Sequence, residues 1–165
     1  MTREYVRDNL RILTYQLCKT TTYETEEYAR NCAARLERLR TAEFNWLKIP
    51  QFEYTLDELS LTINVDYIKG WYCAEPLKLY DEIVLRKDNY TFTDPHPSNF
   101  ITCSRTFETF AIDLDSYTKK WPFQDMHDRF IRKWSPKLEA HSWMIEQIQQ
   151  LKSSQIDSAR EVDHP

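Results

Sequence analysis

Leu59-Ser60-Leu61-Thr62-Ile63-Asn64-Val65-Asp66 alternates apolar and polar side chains without a break. Side chains of a strand point to opposite faces in turn. Leu59, Leu61, Ile63 and Val65 would therefore share a buried face, leaving Ser60, Thr62, Asn64 and Asp66 wet. Lys69-Gly70 is a turn signal, and Trp71-Tyr72-Cys73 would return from it to complete a hairpin. Further strand-like runs are Ile83-Val84-Leu85, Tyr90-Thr91-Phe92-Thr93, Phe100-Ile101-Thr102-Cys103 and Phe107 to Leu114. They are punctuated by Arg86-Lys87-Asp88-Asn89 and by the loop Asp94-Pro95-His96-Pro97-Ser98-Asn99. Connections this short leave no room for parallel crossovers, so an antiparallel meander of about four to six strands is expected.

On either side of these strand-like runs the period changes to that of helices. Val6, Leu10, Leu13 and Leu17 are spaced as an amphipathic stripe and predict a helix over 3–19. Thr21 with Glu24 reads as a capping box opening a second helix, with Ala29, Cys32, Leu36 and Leu39 on one face, running to about Leu47 before Pro50. The brief Thr20-Thr21-Thr22 connection predicts an antiparallel N-terminal helical hairpin, whose stripe would serve the sheet or a second copy in a homodimer. On the far side, Pro122 suits a first helical position, followed by the stripe Phe123, Met126, Phe130 and Trp134. Ser135-Pro136 would open a last helix facing inward through Leu138, His141, Ile145 and Ile148. The expected architecture is α+β: helical hairpin, antiparallel sheet and two C-terminal helices as one domain over 1–152. A flexible polar tail would occupy 153–165.

Composition bounds the function. Among 165 residues, aromatics reach 14%, which favours a packed chain over a disordered one. Gly70 is the single glycine, so no P-loop, dinucleotide fingerprint or nucleophile elbow can be written. The N-terminal Met1-Thr2-Arg3-Glu4 lacks the apolar core of a signal peptide, so none is expected, and no window is apolar enough to span a bilayer. A cytoplasmic location without membrane partners is expected. Cys18, Cys32, Cys73 and Cys103 then read as reduced thiols, with Cys103 buried beside Ile101.

Chemistry-bearing clusters are sparse. His96, His127, His141 and His164 are too scattered for a local metal site, and neither metal nor cofactor is expected. Asp113-Leu114-Asp115 follows a strand and, with His127, outlines a metal-dependent hydrolase; a strand end at the surface explains the same acids more plainly. The proline-stiffened loop presents His96 and Asn99 as a second contact point. The most uneven stretch is 117–137, where Lys119, Lys120, Arg129, Arg132, Lys133 and Lys137 face only Asp125 and Asp128. That window is net +4 in a chain of net charge −4. It also holds Tyr117, Trp121, Phe123, Phe130 and Trp134. Cations with aromatics suit an acidic protein partner or single-stranded nucleic acid. The leading expectation is a small non-enzymatic binding protein, accessory, inhibitory or regulatory, that docks through Lys119, Trp121, Arg129, Arg132, Lys133 and Trp134.

Overall fold

The computed structural model describes residues 10–13, 16–73, 75–138 and 146–153. The chain is α+β, and the central alternation is a strand: β4 (Ser60–Asp66) buries Leu61, Ile63 and Val65. Leu59 lies outside it and is exposed.

The N-terminal helical hairpin is not formed. β1 (Leu10–Leu13) and β2 (Gln16–Thr22) are strands, and residues 1–9 lie outside the described residues. β2 pairs antiparallel with β4, so Leu17 meets Val65, and Lys19 meets Ile63. Thr20, Thr21 and Thr22 continue the ladder; β-branched residues suit a pleated surface better than a helix end. With β3 (Phe52–Asp57), these strands form a sheet in the order β1-β2-β4-β3. The homodimer expected through N-terminal helices loses its proposed interface.

Among the described residues of that region, the helix is α1 (Glu26–Arg40). Its cap is Thr25, whose side chain accepts from the Tyr28 amide at 3.2 Å, rather than Thr21. Ala29, Cys32, Leu36 and Leu39 are buried as their spacing predicts, and the helix ends before 47.

The remaining strands do not make one meander with β4. β5 (Gly70–Tyr72) leaves β4 and pairs with β7 (Phe100–Cys103), which pairs with β8 (Thr109–Ala111). β6 (Tyr90–Phe92) pairs with β9 (Tyr117–Lys119) in a separate two-stranded ribbon. Gly70 is required where β5 meets β7: a Cβ there would stand 1.7 Å from the Thr102 carbonyl oxygen. Ile83-Val84-Leu85 is not a strand, because α2 (Pro76–Ile83) takes Pro76 into its first turn. Glu82 of α2 is buried and accepts from the backbone amides of Trp46 and Leu47, the latter at 3.0 Å.

α3 (Phe123–Leu138) runs through Ser135-Pro136, so that pair is not a helix start. Met126, Phe130 and Trp134 are buried, as the stripe predicts. Residues 146–153 are helical, with Ile148 buried, while His141, Ile145 and 154–165 fall outside the described residues. All four cysteines are free thiols. Along β7 the burial phase is opposite to expectation: Thr102 is buried, whereas Cys103 and Ile101 are half-exposed. Among the described residues, no helix is long and apolar enough to cross a membrane.

Candidate functional site

A cavity of about 490 Å³ opens between the four-stranded sheet and the segments 94–101 and 112–115. The register of β2 on β4 puts Leu17, Lys19, Ile63 and Val65 on one face of that sheet. They form the apolar wall, with Lys19 as its single cation. Ile101 and Ile112 face them, and Tyr67, Ile68 and Trp71 line another part of the wall.

The polar side of the cavity is built from two segments held together by backbone bonds. Between β6 and β7, Asp94-Pro95-His96-Pro97-Ser98-Asn99 ends in a 3₁₀ turn over Pro97–Asn99. The Asn99 side-chain amide donates to the Asp94 carbonyl at 3.1 Å, closing the loop on itself. His96 Nδ1 accepts from the Ser98 amide at 3.1 Å and lies 2.6 Å from Ser98 Oγ. After β8, a second 3₁₀ turn spans Leu114–Ser116. The Ile112 amide donates to the Asn99 carbonyl at 3.0 Å, and the Thr93 amide donates to the Ser116 carbonyl at 3.0 Å. These bonds fix Asp94, Asn99, Asp113 and Asp115 around the same space.

Lys19 Nζ lies 3.0 Å from Oδ1 of both Asp113 and Asp115. Burial pushes the Asp113 carboxyl up to about 7, and its hydrogen bond with Asp115 adds to the rise against the pull of Lys19. Burial opposes ionisation of Asp115 too, but the Asp113 hydrogen bond and Lys19 leave it below its ordinary value. The ammonium loses hydration, yet the two carboxylates hold Lys19 above its ordinary value. The pair therefore shares one labile proton near neutrality beside a fixed cation. Asp94 Oδ1 is buried without a hydrogen bond, 3.6 Å from Arg129 Nη2.

The residues singled out from sequence separate into three places. Asn99 is buried and lines the cavity; His96 is half-exposed on the same loop. Lys119, Trp121 and Arg132 are exposed, Lys133 and Arg129 half-exposed, and the Arg129 guanidinium sits 5.1 Å over the Trp121 ring. Trp134 is 2% exposed and donates its indole N–H to the Pro95 carbonyl at 2.7 Å, so it belongs to the core and not to a contact surface. His127 is likewise buried, with Nδ1 2.7 Å from the Tyr80 hydroxyl, and does not line the cavity with Asp113 and Asp115. The hydrolase trio is thus not assembled. Lys19 and Asp94 complete the cavity instead. The sequence signal that unites them is the spacing Asp94-x-x-x-x-Asn99 ahead of Asp113, together with a lysine inside a β-branched strand.

No protein-family model matches this chain, and no curated protein matches it.

Proposed function

We propose that the cavity binds a nucleoside triphosphate and that the chain can transfer its terminal phosphoryl group. Lys19, Asp94, Asn99 and Asp113 are the working residues. One observation supports this: residues from β2, the 94–99 loop and the 112–115 segment converge on a single cavity of ordinary ligand size. Phosphoryl transfer asks a protein for positioning, cations and metal-binding oxygens rather than covalent chemistry. The spacing Asp94-x-x-x-x-Asn99, a later aspartate and a strand lysine is the layout that protein kinases use for this purpose. The likeness is one of residue layout, and the roles follow from chemistry. Asp94 accepts the proton of an acceptor hydroxyl as that oxygen bonds the terminal phosphorus and the nucleoside diphosphate leaves. Asn99 and Asp113 would hold Mg²⁺ through their side-chain oxygens, since that ion needs only one or two protein ligands when phosphates supply others. Lys19 turns from the carboxylates to a phosphate oxygen. Bound Mg²⁺ would neutralise charge on the phosphoryl oxygens. Leu17, Ile63, Val65 and Ile101 offer apolar walls to a base.

The layout departs from the kinase pattern at four points. No glycine-rich loop can be written from one glycine. Lys19 pairs with Asp113 and Asp115 rather than with a glutamate of α1. Phe92-Thr93 precedes Asp94 in place of His-Arg, and Leu114-Asp115 follows Asp113 in place of Phe-Gly. With these four departures nucleotide binding is proposed first, and turnover would be slow.

A second reading is non-enzymatic docking on a protein, or on nucleic acid, through the 117–137 segment. Exposure of Lys119, Trp121 and Arg132 favours it.

Thermal denaturation tests the primary claim. ATP with Mg²⁺ at about 100 times its Kd should stabilise the fold by about 2.7 kcal/mol, a rise of several degrees in Tm. ATP with EDTA should give much less. No shift with saturating ATP and Mg²⁺ would leave the docking reading in its place.

A further inference from the structure

A second concavity, of about 690 Å³, lies between α1, β6 and β9 with the residues that follow it. Arg35 and Arg38 project into it from α1, Lys119 and Lys120 from the opposite wall, and Trp121 stands beside them. Arg35 and Arg38 are three apart on the helix and so lie on one side of it. No carboxylate lines this space, and none of the four cations has an ion-pair partner among the described residues.

Their positive charge is poorly compensated. Arg35 Nη2 is 2.8 Å from Cys32 Sγ, while its Nε is buried with no hydrogen-bond partner. The Lys120 ammonium is half-buried and held against the Arg86 carbonyl. Arg86, itself paired with Asp88 at 3.2 Å, brings a like charge near Lys120. Burial and the Arg86 charge both weigh against the protonated Lys120 amine. Four cations lining one groove without an acid, with Arg35 and Lys120 partly buried and Arg38 and Lys119 open to solvent, make a site whose missing component is an anion.

We propose that this groove docks a phosphorylated serine or threonine segment of a partner protein. A phosphoryl group carries up to two charges and three acceptor oxygens, and matches guanidinium forks such as those of Arg35 and Arg38. A carboxylate side chain brings only one charge. Single-stranded nucleic acid needs successive open ring faces. Here Tyr90 is already covered by the Arg38 guanidinium, 3.9 Å from its ring centroid, and Trp121 alone is exposed. The proposal is independent of nucleotide binding in the other cavity.

Fluorescence polarisation with a labelled degenerate peptide pool carrying one fixed phosphoserine tests it. The pool should bind at least about tenfold more tightly than the same pool with serine. Lys119→Glu, at an exposed position outside the core, should abolish that difference, as should Arg35→Gln. Circular dichroism of both variants checks that they fold. Equal binding of phosphorylated and unphosphorylated pools overturns the proposal. So does tighter binding of a labelled oligothymidine than of the phosphorylated pool, or displacement by inorganic phosphate at the same concentration as the peptide. Retention of phosphopeptide affinity by a folded Lys119→Glu and Arg35→Gln double variant also overturns it.

Discussion

Lys19 Nζ reaches Oδ1 of Asp113 at 3.0 Å across 94 residues of sequence, and the same nitrogen reaches Asp115 at 3.0 Å. One ammonium therefore joins the four-stranded sheet to the turn after β8 and pairs with two acids that line the cavity. All three side chains are between 17% and 26% exposed, so the interaction is partly desolvated and stronger than a surface ion pair.

Removing the cation should expose the repulsion between the acids. Lys19→Met is expected to destabilise the fold by about 1–3 kcal/mol at pH 8. At pH 5 the loss should be smaller, because Asp113 can take a proton once pH falls below about 7. Urea unfolding at the two pH values reads the difference; equal losses would show that the acids do not share a proton.

The two tryptophans of the basic segment should part company. Trp134 is 2% exposed and stacks on Phe130 at 5.6 Å, so Trp134→Ala should cost about 3–5 kcal/mol. Trp121 is 39% exposed, and Trp121→Ala should stay within about 0.5 kcal/mol of wild type. Denaturant midpoints decide between them.

His127 is expected to titrate below its ordinary 6.5. Burial is the main cause and Lys152 the next, against smaller opposing contributions from Asp128 and Gln149. A base whose folded value is depressed contributes stability above its unfolded value, here about 6.5. That stability is lost as pH falls through the window below it. An NMR titration of the imidazole protons should place the midpoint under 6.5, and His127→Gln should flatten the acid side of the stability profile.

Gly70→Ala should destabilise by about 1–3 kcal/mol or more, since the new methyl would collide with the Thr102 carbonyl backbone. A thermal melt checks this, and an unchanged Tm would mean that β5 and β7 are not paired at this position.

Local periodicity made much of the fold legible, and long-range pairing hid the rest. The alternation over Leu61, Ile63 and Val65, the buried face of α1 and the Met126, Phe130 and Trp134 stripe all follow from spacing alone. Leu10, Leu13 and Leu17 carry helical spacing too, yet they sit in β1 and β2 because β4 offers β2 a complete ladder. Thr20-Thr21-Thr22 was the local sign of that strand. Ile83-Val84-Leu85 looks like a strand in isolation, but the helix begun at Pro76 carries Ile83 into the core. The candidate site was less legible still. Its cation and its acids lie far apart in sequence, and a lysine assigned to a helix gives no hint of facing Asp113. Trp134 carries two conflicting signals, a helical spacing that places it in the core and charged neighbours that suggest a surface, and its burial follows the spacing.

The central claim is that the cavity holding Lys19, Asp94, Asn99 and Asp113 takes a nucleoside triphosphate with Mg²⁺. Calorimetric titration of ATP with Mg²⁺ at pH 8, run on wild type and Asp113→Asn, tests it most directly. Saturable one-site binding to wild type and at least about tenfold weaker binding to the variant are expected. No binding to wild type, or equal affinity in the two proteins, would contradict it.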